Sequence, residues 1–389
     1  MSQATITLTR TINAPAEQLY RAFTNAQALR EWFCDIATAQ SRVGGGFYVA
    51  WNNGDALLGK YTALEPNKMV GLRLRAMDDT DRSTLTITLD AQAKATILTL
   101  VDTSDGAQWL QIKDEVEKGW REALDVLQTG LETGVDLREA RRPMLGIALT
   151  GTQPGDTGIR LGGVVDGMDA QRAGLQKDDQ LLSIGGKATP DWSALTVALG
   201  AQRAGDTVIV TYDRAGQQHQ SQVTLSPRPM PPMPTTAAEI ADQLGQSYAA
   251  ICNEMNALLN GVTEQQATQP PAPGEWSVKE ALAHLLLSER VIQCRIGWLL
   301  GDLESGPDNW DGSLPAQITA VLAAYPTLAA LTQAFQTSLT ETIALLAALP
   351  PSFVAQKRSF NRIAQEVATW SDHIRDHLAQ IGAALAGQE

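Results

Sequence analysis

The first third of the chain alternates apolar and polar residues in short runs, as strands with one buried face do. Ile6–Ile12 begins Ile-Thr-Leu-Thr and places Ile6, Leu8 and Ile12 on one face. A capped short helix follows, with Pro15 near its start, and an amphipathic pattern at about 109–130 predicts a longer helix. A curved antiparallel sheet around a helix is one packing solution, and it leaves room for a cavity between them. Further strand-like runs fall at 46–51, 57–64, 69–76, 83–90 and 95–102.

Beyond a proline-rich stretch, the pattern changes to the period of helices. The stretch Ser226–Thr236 contains five prolines, which favour polyproline II, a semi-rigid spacer of about 3 Å per residue. The apolar positions that follow predict helices joined by short or medium loops, which is the pattern of a four-helix bundle. The four predicted helices cover 236–260, 277–302, 315–348 and 360–386.

A second boundary lies near 133–143, where the helical pattern gives way to a charged stretch and Pro143. The chain is therefore expected to be multidomain, with an α+β helix-grip fold first, a β-rich fold second and an all-α up-down four-helix bundle last. The predicted segments are 1–135 for the first domain, 140–227 for the second, 228–235 for the linker and 236–389 for the bundle.

The net charge of −13 is concentrated at the two ends of the chain. Residues 1–137 carry a net charge of −5, residues 138–234 carry +1 and residues 235–389 carry −9. Binding a phosphate backbone needs a basic stripe, which none of these segments offers. Nucleic acid is not an expected partner.

The cysteines and the N-terminal residues indicate the cellular compartment in which the protein is expected. Cys34, Cys252 and Cys294 are too few and too scattered for a disulfide framework, and they fit a reducing environment. The first residues lack the basic and apolar regions of a signal peptide, and no apolar run reaches the roughly 18 residues of a membrane span. We expect a cytoplasmic protein that has no membrane partner.

Three of the four histidines lie in the predicted bundle. His373 and His377 are four residues apart, so they share one face of a helix. His284 lies on another predicted helix, which begins with a capping box formed by Ser277 and Glu280. A site with three imidazole ligands leaves coordination positions open to water or substrate. The spacing predicts a divalent metal site.

The residues near these histidines suggest how the imidazoles are held. Each ring N–H needs an acceptor, and Glu280 or a backbone carbonyl is a candidate partner for His284. Glu366 and Thr369 fall on roughly the face of His373, where they would line the pocket. Imidazole ligands suit zinc, nickel, iron and copper, with zinc and nickel the first choices here.

The segments Glu275–His284 and His373–Ile381 closely resemble the DinB (YfiT-like) family of metal-binding four-helix bundles. The resemblance covers about 150 residues. It implies that His284, His373 and His377 are the metal ligands. It also implies a thiol-dependent S-transferase or isomerase activity for some members, with a low-molecular-weight thiol as co-substrate, while other members have no assigned activity.

The N-terminal segment resembles the START-like (SRPBCC) superfamily, in the branch named for activators of heat-shock ATPases. The residues that carry the resemblance are Ile12–Thr24, Leu29–Phe33 and Gly119–Leu124. The family implies a cavity for an apolar ligand or a protein-contact role. A packed domain with no occupied cavity is the alternative.

The middle segment resembles a bacterial-type PDZ domain, chiefly in Ala173-Gly174-Leu175 followed by Asp179 and Leu181–Ile184. The resemblance implies that a peptide or protein C-terminus adds as a strand and that loop amides capture its carboxylate. The alternative is a rigid spacer with no ligand. The expected peptide-binding residues are the loop residues Met144, Leu145, Gly146 and Ile147 and the helix residues Leu195 and Leu199.

Two functions remain open at this point. One is a metal-dependent transferase in which the bundle performs the chemistry and the other two domains bind ligands or partners. The other is a non-catalytic adaptor for stress response or ligand binding, with a structural metal. No cysteine or fourth histidine is placed to close the coordination shell, which favours the open, reactive site. An acidic ligand such as Glu280 would reverse that preference.

Overall fold

The computed structural model describes residues 3–77, 79–149, 158–228, 233–303 and 313–386. The chain divides into two compact units, one made of Met1–Val135 together with Met233–Glu389 and the other of Asp136–Pro232. An antiparallel-sheet domain, a β-rich domain and a helical domain follow one another along the chain, so the predicted fold class is confirmed. Residues 229–232 of the predicted linker 228–235 lie outside the described residues.

An antiparallel sheet forms the N-terminal domain. Its described strands follow the order β1-β7-β6-β5-β4-β3-β2, in which β1 closes onto β7 with Ala4 opposite Ser104. Every second residue of β7 is buried, from Thr96 to Ser104, as expected for a strand in a sheet with one covered face. The strands are β1 Ala4–Ile12, β2 Ile36–Ala39, β3 Gly46–Ala50, β4 Ala56–Glu65, β5 Met69–Ala76, β6 Ser83–Ala91 and β7 Thr96–Ser104.

Helices cover this sheet. Leu124 and Leu127 of the long helix are almost fully buried, whereas the polar residues of the same helix face outward. Gly134 ends the helix in the left-handed conformation (φ +81°), which glycine adopts without steric cost. The helices are α1 Ala16–Thr24, α2 Ala26–Arg30, α3 Ala107–Gln111 and α4 Lys113–Thr133.

The second unit contains a small antiparallel sheet with a helix beside it. Its described strands follow the order β14-β13-β11-β10-β9, and β12 pairs with β11. Asp191 caps the helix α7 by accepting from the backbone N–H of Ala194. The elements are α5 Leu137–Ala140, β8 Pro143–Met144, β9 Ile147–Leu149, β10 Ile159–Val164, α6 Asp169–Arg172, β11 Gln180–Ile184, β12 Lys187–Ala188, α7 Trp192–Gly200, β13 Thr207–Arg214, β14 Gln217–Thr224 and β15 Ser226–Pro227.

Long helices α8, α10, α12 and α14 form the bundle, in which α10 packs on α12 and α14 and these two pack on α8. The helical pattern predicted as 315–348 is two helices in the structure, because Pro326 forces Tyr325 out of the helical region and Thr327 caps a new helix. The helices are α8 Ala237–Leu258, α9 Glu264–Thr268, α10 Val278–Leu300, α11 Leu314–Ala324, α12 Leu328–Ala347, α13 Pro351–Val354 and α14 Lys357–Ala386.

Among the described residues, no single helix combines the length and the hydropathy of a membrane span. Helices α11 and α12 meet those criteria only as a pair, across a 110° bend.

Candidate metal centre

Helix α10 positions the first histidine. The capping box forms as the sequence predicts: the Ser277 side chain accepts from the Glu280 N–H, and Glu280 Oε2 accepts from the Ser277 N–H at 2.8 Å. Leu282, Leu285 and Leu286 are buried in the bundle core. Their burial fixes the rotation of the helix, and His284 lies half-buried at the edge of this apolar face.

Helix α14 supplies the other two. Ile374 and Leu378 are buried against the bundle, so the residues that precede them, His373 and His377, lie at the side of the helix. His373 is exposed and His377 is half-buried. Because α14 packs on α10, one pair of facing helices brings all three imidazoles to one place.

The three imidazoles form a compact cluster. One ligand nitrogen from each ring lies within 4.8 Å of the other two. The His284 and His377 ring centroids are 4.7 Å apart, as are those of His373 and His377, and those of His284 and His373 are 5.4 Å apart. Nitrogens about 2.1 Å from a tetrahedral ion would lie about 3.4 Å from one another. The donor set and its spacing therefore fit one ion after small ring rotations.

The surroundings of His373 favour its uncharged form. Although His373 reaches solvent, partial loss of hydration on its inner side lowers the pKa of its ring. The neighbouring His377 lowers this pKa further, and Asp376 opposes the decrease. A neutral ring keeps the lone pair that a metal ligand requires.

Three residues that were predicted to lie near the imidazoles each contact another residue. Glu280 is engaged by Ser277 in the capping box. Glu366 forms ion pairs with Arg295 at 3.2 Å and Arg362 at 3.9 Å. The Thr369 hydroxyl donates to the Glu366 carbonyl oxygen.

Two residues that the sequence analysis did not select contact the imidazoles directly. The Trp276 ring lies 4.9 Å from the His284 ring and 5.9 Å from the His377 ring, with which it is stacked. Gln380 Oε1 lies 2.9 Å from His377 Nδ1. The signals were present: Trp276 directly precedes the N-cap Ser277, and Gln380 follows His377 by one helical turn.

The residues predicted to bind a peptide lie in and around the β8–β9 segment and helix α7. Gly146 has φ +74°, and a Cβ atom there would lie 2.5 Å from the Met168 Cβ, so the position requires glycine. Leu145 and Leu195 are buried in the core. Strand β9 is the last in the described sheet order, and it begins with the predicted residue Ile147. The remaining two residues are Met144, which pairs with Ser226, and Leu199, which packs partly buried on the core.

The N-terminal domain, where an apolar ligand was expected, contains buried and half-buried aromatic side chains in mutual contact. The rings of Phe33 and Trp120 are stacked at 5.3 Å, and Phe33 also contacts Trp32 and Trp51. The Trp120 indole N–H donates to Asp102, whose pKa is raised by its burial.

Three family models match consecutive parts of the chain. The model for activator of Hsp90 ATPase homolog 1-like protein matches residues 13–132, the PDZ domain model matches 135–212, and the DinB superfamily model matches 248–381. The resemblances inferred from the sequence are thereby confirmed. The DinB superfamily is commonly metal-binding, and its match includes the whole histidine cluster.

Several of the solved structures similar to this chain cover about a third of it. The Aha1 dimer from Colwellia psychrerythraea is 21% identical and covers 34% of this chain and 98% of its own, with a TM-score of 0.30. The Hsp90 activator PFC0360w from Plasmodium falciparum is 23% identical and covers 33% of this chain and 95% of its own, with a TM-score of 0.30. Protein CV1439 from Chromobacterium violaceum is 28% identical, with coverages of 32% and 95% and a TM-score of 0.29. The search of curated proteins gives no match.

Proposed function

We propose that His284, His373 and His377 bind one divalent metal ion, zinc or nickel, and that this centre serves a thiol-dependent S-transferase. The observation that carries the proposal is the cluster itself, in which three imidazole nitrogens lie within 4.8 Å of one another on two packed helices.

The chemistry follows from the donor set. Three neutral imidazoles leave the charge of an ion uncompensated, and the bound ion supplies a strong Lewis acid that lowers the pKa of a small thiol. In the transfer itself, the thiol loses its proton to solvent and its sulfur forms a C–S bond with an electrophilic carbon. The bond from that carbon to the leaving group breaks, and the leaving group departs with the electron pair. The reaction changes no oxidation state and needs no further reactant.

The chain's own residues account for access and shielding. The exposed His373 marks the side from which a thiol reaches the cluster, whereas Trp276 covers the His284 and His377 rings. Buried leucines of α10 exclude water from beneath His284. One side of the site is thus open and the other is apolar.

In this proposal the other two regions bind ligands or partners. The sheet domain takes an apolar ligand or protein against its aromatic interior, and the outer edge of β9 accepts a peptide or protein C-terminus as an added strand. The free cysteines Cys34, Cys252 and Cys294 support a reducing, cytoplasmic setting.

The alternative is a non-catalytic adaptor with a structural metal. It is favoured by the close docking of the sheet domain on the bundle, where Ser359 donates to Glu31 at 2.6 Å, because such docking suits an assembly of binding modules.

The test begins with elemental analysis of the natively purified protein and its His284→Ala variant. We expect one ion per chain in the wild type and almost none in the variant. His219→Ala is the matched control, because His219 lies in the second unit. Unchanged metal content in His284→Ala would mean that the site assignment is wrong.

The reaction is tested separately on cobalt-substituted protein. Glutathione, cysteine and coenzyme A are added one at a time, and we expect at least one thiol to shift the d–d absorption bands and to react with an aryl halide. A metal-loaded protein that responds to none of them favours the adaptor.

A further inference from the structure

Gln380 touches the histidine cluster without being one of its predicted ligands. It lies on α14 one turn beyond His377, and its Oε1 is 2.9 Å from His377 Nδ1. The pair is partly buried, so water competes with this contact less than it would on an open surface.

The contact determines which nitrogen of His377 carries the proton. A carbonyl oxygen only accepts, so a bond to Gln380 Oε1 requires the hydrogen on Nδ1. A neutral imidazole has a single N–H, and Nε2 therefore keeps its lone pair. The amide of a glutamine does not change its charge, and it holds this tautomer without adding charge to the site.

The ring of His377 is held from a second direction as well. The Trp276 ring is stacked on it at 5.9 Å, with an angle of 23° between the planes. A hydrogen bond in the plane of the ring and an aromatic contact on its face together restrict both its rotation and its tilt. The position of His377 Nε2 is thus set before any ligand arrives.

From these contacts, which rest on the proposed metal binding, we infer that Gln380 is a positioning residue: it fixes His377 in the Nδ1–H tautomer and presents Nε2 to the ion. Acceptors of this kind orient metal-bound histidines, and their removal typically weakens metal binding about 10- to 100-fold.

Two substitutions at this position separate hydrogen bonding from packing. Gln380→Met keeps the length of the side chain but removes the acceptor, whereas Gln380→Glu keeps an acceptor oxygen. Gln365→Met is the matched control, because Gln365 is a half-buried glutamine on the same helix. Circular dichroism and the melting temperature of each metal-free protein show whether the fold is intact.

Zinc affinity is measured by competition with a chromophoric chelator. We expect Gln380→Met to bind zinc about 10- to 100-fold more weakly than the wild type, and Gln380→Glu and Gln365→Met to bind within about threefold of it. Equal affinity of Gln380→Met and the wild type would overturn the inference, and so would equal losses in the Met and Glu variants with the fold intact.

The second readout needs no metal. Nitrogen-15 shifts of the His377 ring, assigned with His377→Ala, report its tautomer in the metal-free protein at pH about 8, where an imidazole is neutral. We expect the Nδ1–H form in the wild type and a mixture in Gln380→Met, and an Nε2–H form in the wild type would contradict the inference. If the wild type shows the Nδ1–H form but binds no zinc, the proposed function fails while the role of Gln380 in holding the tautomer stands.

Discussion

Helix α14 carries buried, hydrogen-bonded polar groups near its start, which we call the closed end, and partly exposed polar groups in its second half. Near its start, Ser359 is buried and donates to Glu31 Oε1 at 2.6 Å, and the Arg358 Nε–H donates to the Glu31 carbonyl oxygen at 3.2 Å. In its second half, which we call the open end, His373 and His377 cluster with His284 and are partly open to solvent. One helix thus joins a closed polar interface to an open cluster of donors.

Burial and hydrogen bonding distinguish the structural polar groups at the closed end from the clustered imidazoles at the open end. A carboxylate near the first turn of a helix is favoured by the helix dipole, and Arg21 adds a contact of 3.5 Å to Glu31. Glu31 and Ser359 are thus both buried and hydrogen-bonded to each other. The three imidazoles instead bring one ligand nitrogen each to within 4.8 Å of one another, and the proposed metal site rests on this arrangement.

The largest predicted effect on stability comes from removing the buried carboxylate of Glu31 at the closed end. Glu31→Ala removes the acceptor of the buried Ser359 and one of the two acidic partners of Arg21, which keeps its contact with Asp302. Leaving buried polar groups short of partners costs about 2 to 4 kcal/mol. The urea midpoint of unfolding should fall accordingly, whereas zinc affinity should change less than threefold. Glu17→Ala, an exposed position on α1, is the control. A large loss of zinc affinity in Glu31→Ala would show that the two ends are not independent.

Zinc binding at the three histidines should stabilise the protein by a similar amount. An ion that binds only the folded state adds about 2.7 kcal/mol to the free energy of unfolding when its free concentration is 100 times its Kd. Calorimetry with and without zinc should show this rise in Tm for the wild type. His377→Ala should melt at one temperature in both conditions, and a zinc-dependent Tm in that variant would place the ion elsewhere.

Gly134→Ala tests how tightly the closed end is packed. The added Cβ would lie 2.2 Å from the Asn361 Nδ2 atom and 2.9 Å from the Lys357 carbonyl oxygen, and the residue would have to keep φ +81°. We expect a loss of about 1 to 2 kcal/mol from the backbone conformation alone, measured by urea denaturation. Gly119→Ala on α4 is the control, because nothing lies within 4 Å of its added Cβ. Equal stability of the two variants would mean that neither the positive φ nor the close contacts at Gly134 constrain this position.

The smallest effect concerns Glu289, a second closed polar site inside the bundle. Both of its oxygens accept hydrogen bonds of 2.6 Å, one from Tyr248 and one from Thr342, and burial raises the pKa of the carboxyl. Since the folded pKa lies above the unfolded one, the stability that the protonated carboxyl provides is complete below the unfolded pKa and is lost as the pH rises through the folded pKa.

Glu289→Gln cannot ionise at this position. Its free energy of unfolding should therefore change less with pH than that of the wild type between the unfolded and folded pKa values of Glu289. At acid pH, where both side chains are neutral, the two proteins should differ by less than about 1 kcal/mol. Urea denaturation at a series of pH values above 4 measures the difference. Parallel curves would show that Glu289 does not titrate differently in the folded state.

Local sequence signals account for much of the bundle. The capping box at Ser277 starts α10 where the sequence places it, and the spacing of His373 and His377 puts both on one side of α14. The prediction of one helix over 315–348 followed the apolar period, which continues on both sides of Pro326, and overlooked the break that this proline itself signals. Local signals also gave no sign that α14 begins at Lys357, because the first turn is stabilised by contacts with the sheet domain.

The sequence alone determined the order of three folds, the helices that bear the histidines, and the residue types able to bind a metal, because periodicity, capping and spacing act within a few residues along the chain. Tertiary structure alone decided that Trp276 and Gln380 contact the imidazoles and that Glu31 pairs with Ser359, which is 328 residues away. Such contacts depend on how helices rotate and pack against one another. That rotation is set by the burial of the whole core, which no short segment of sequence encodes.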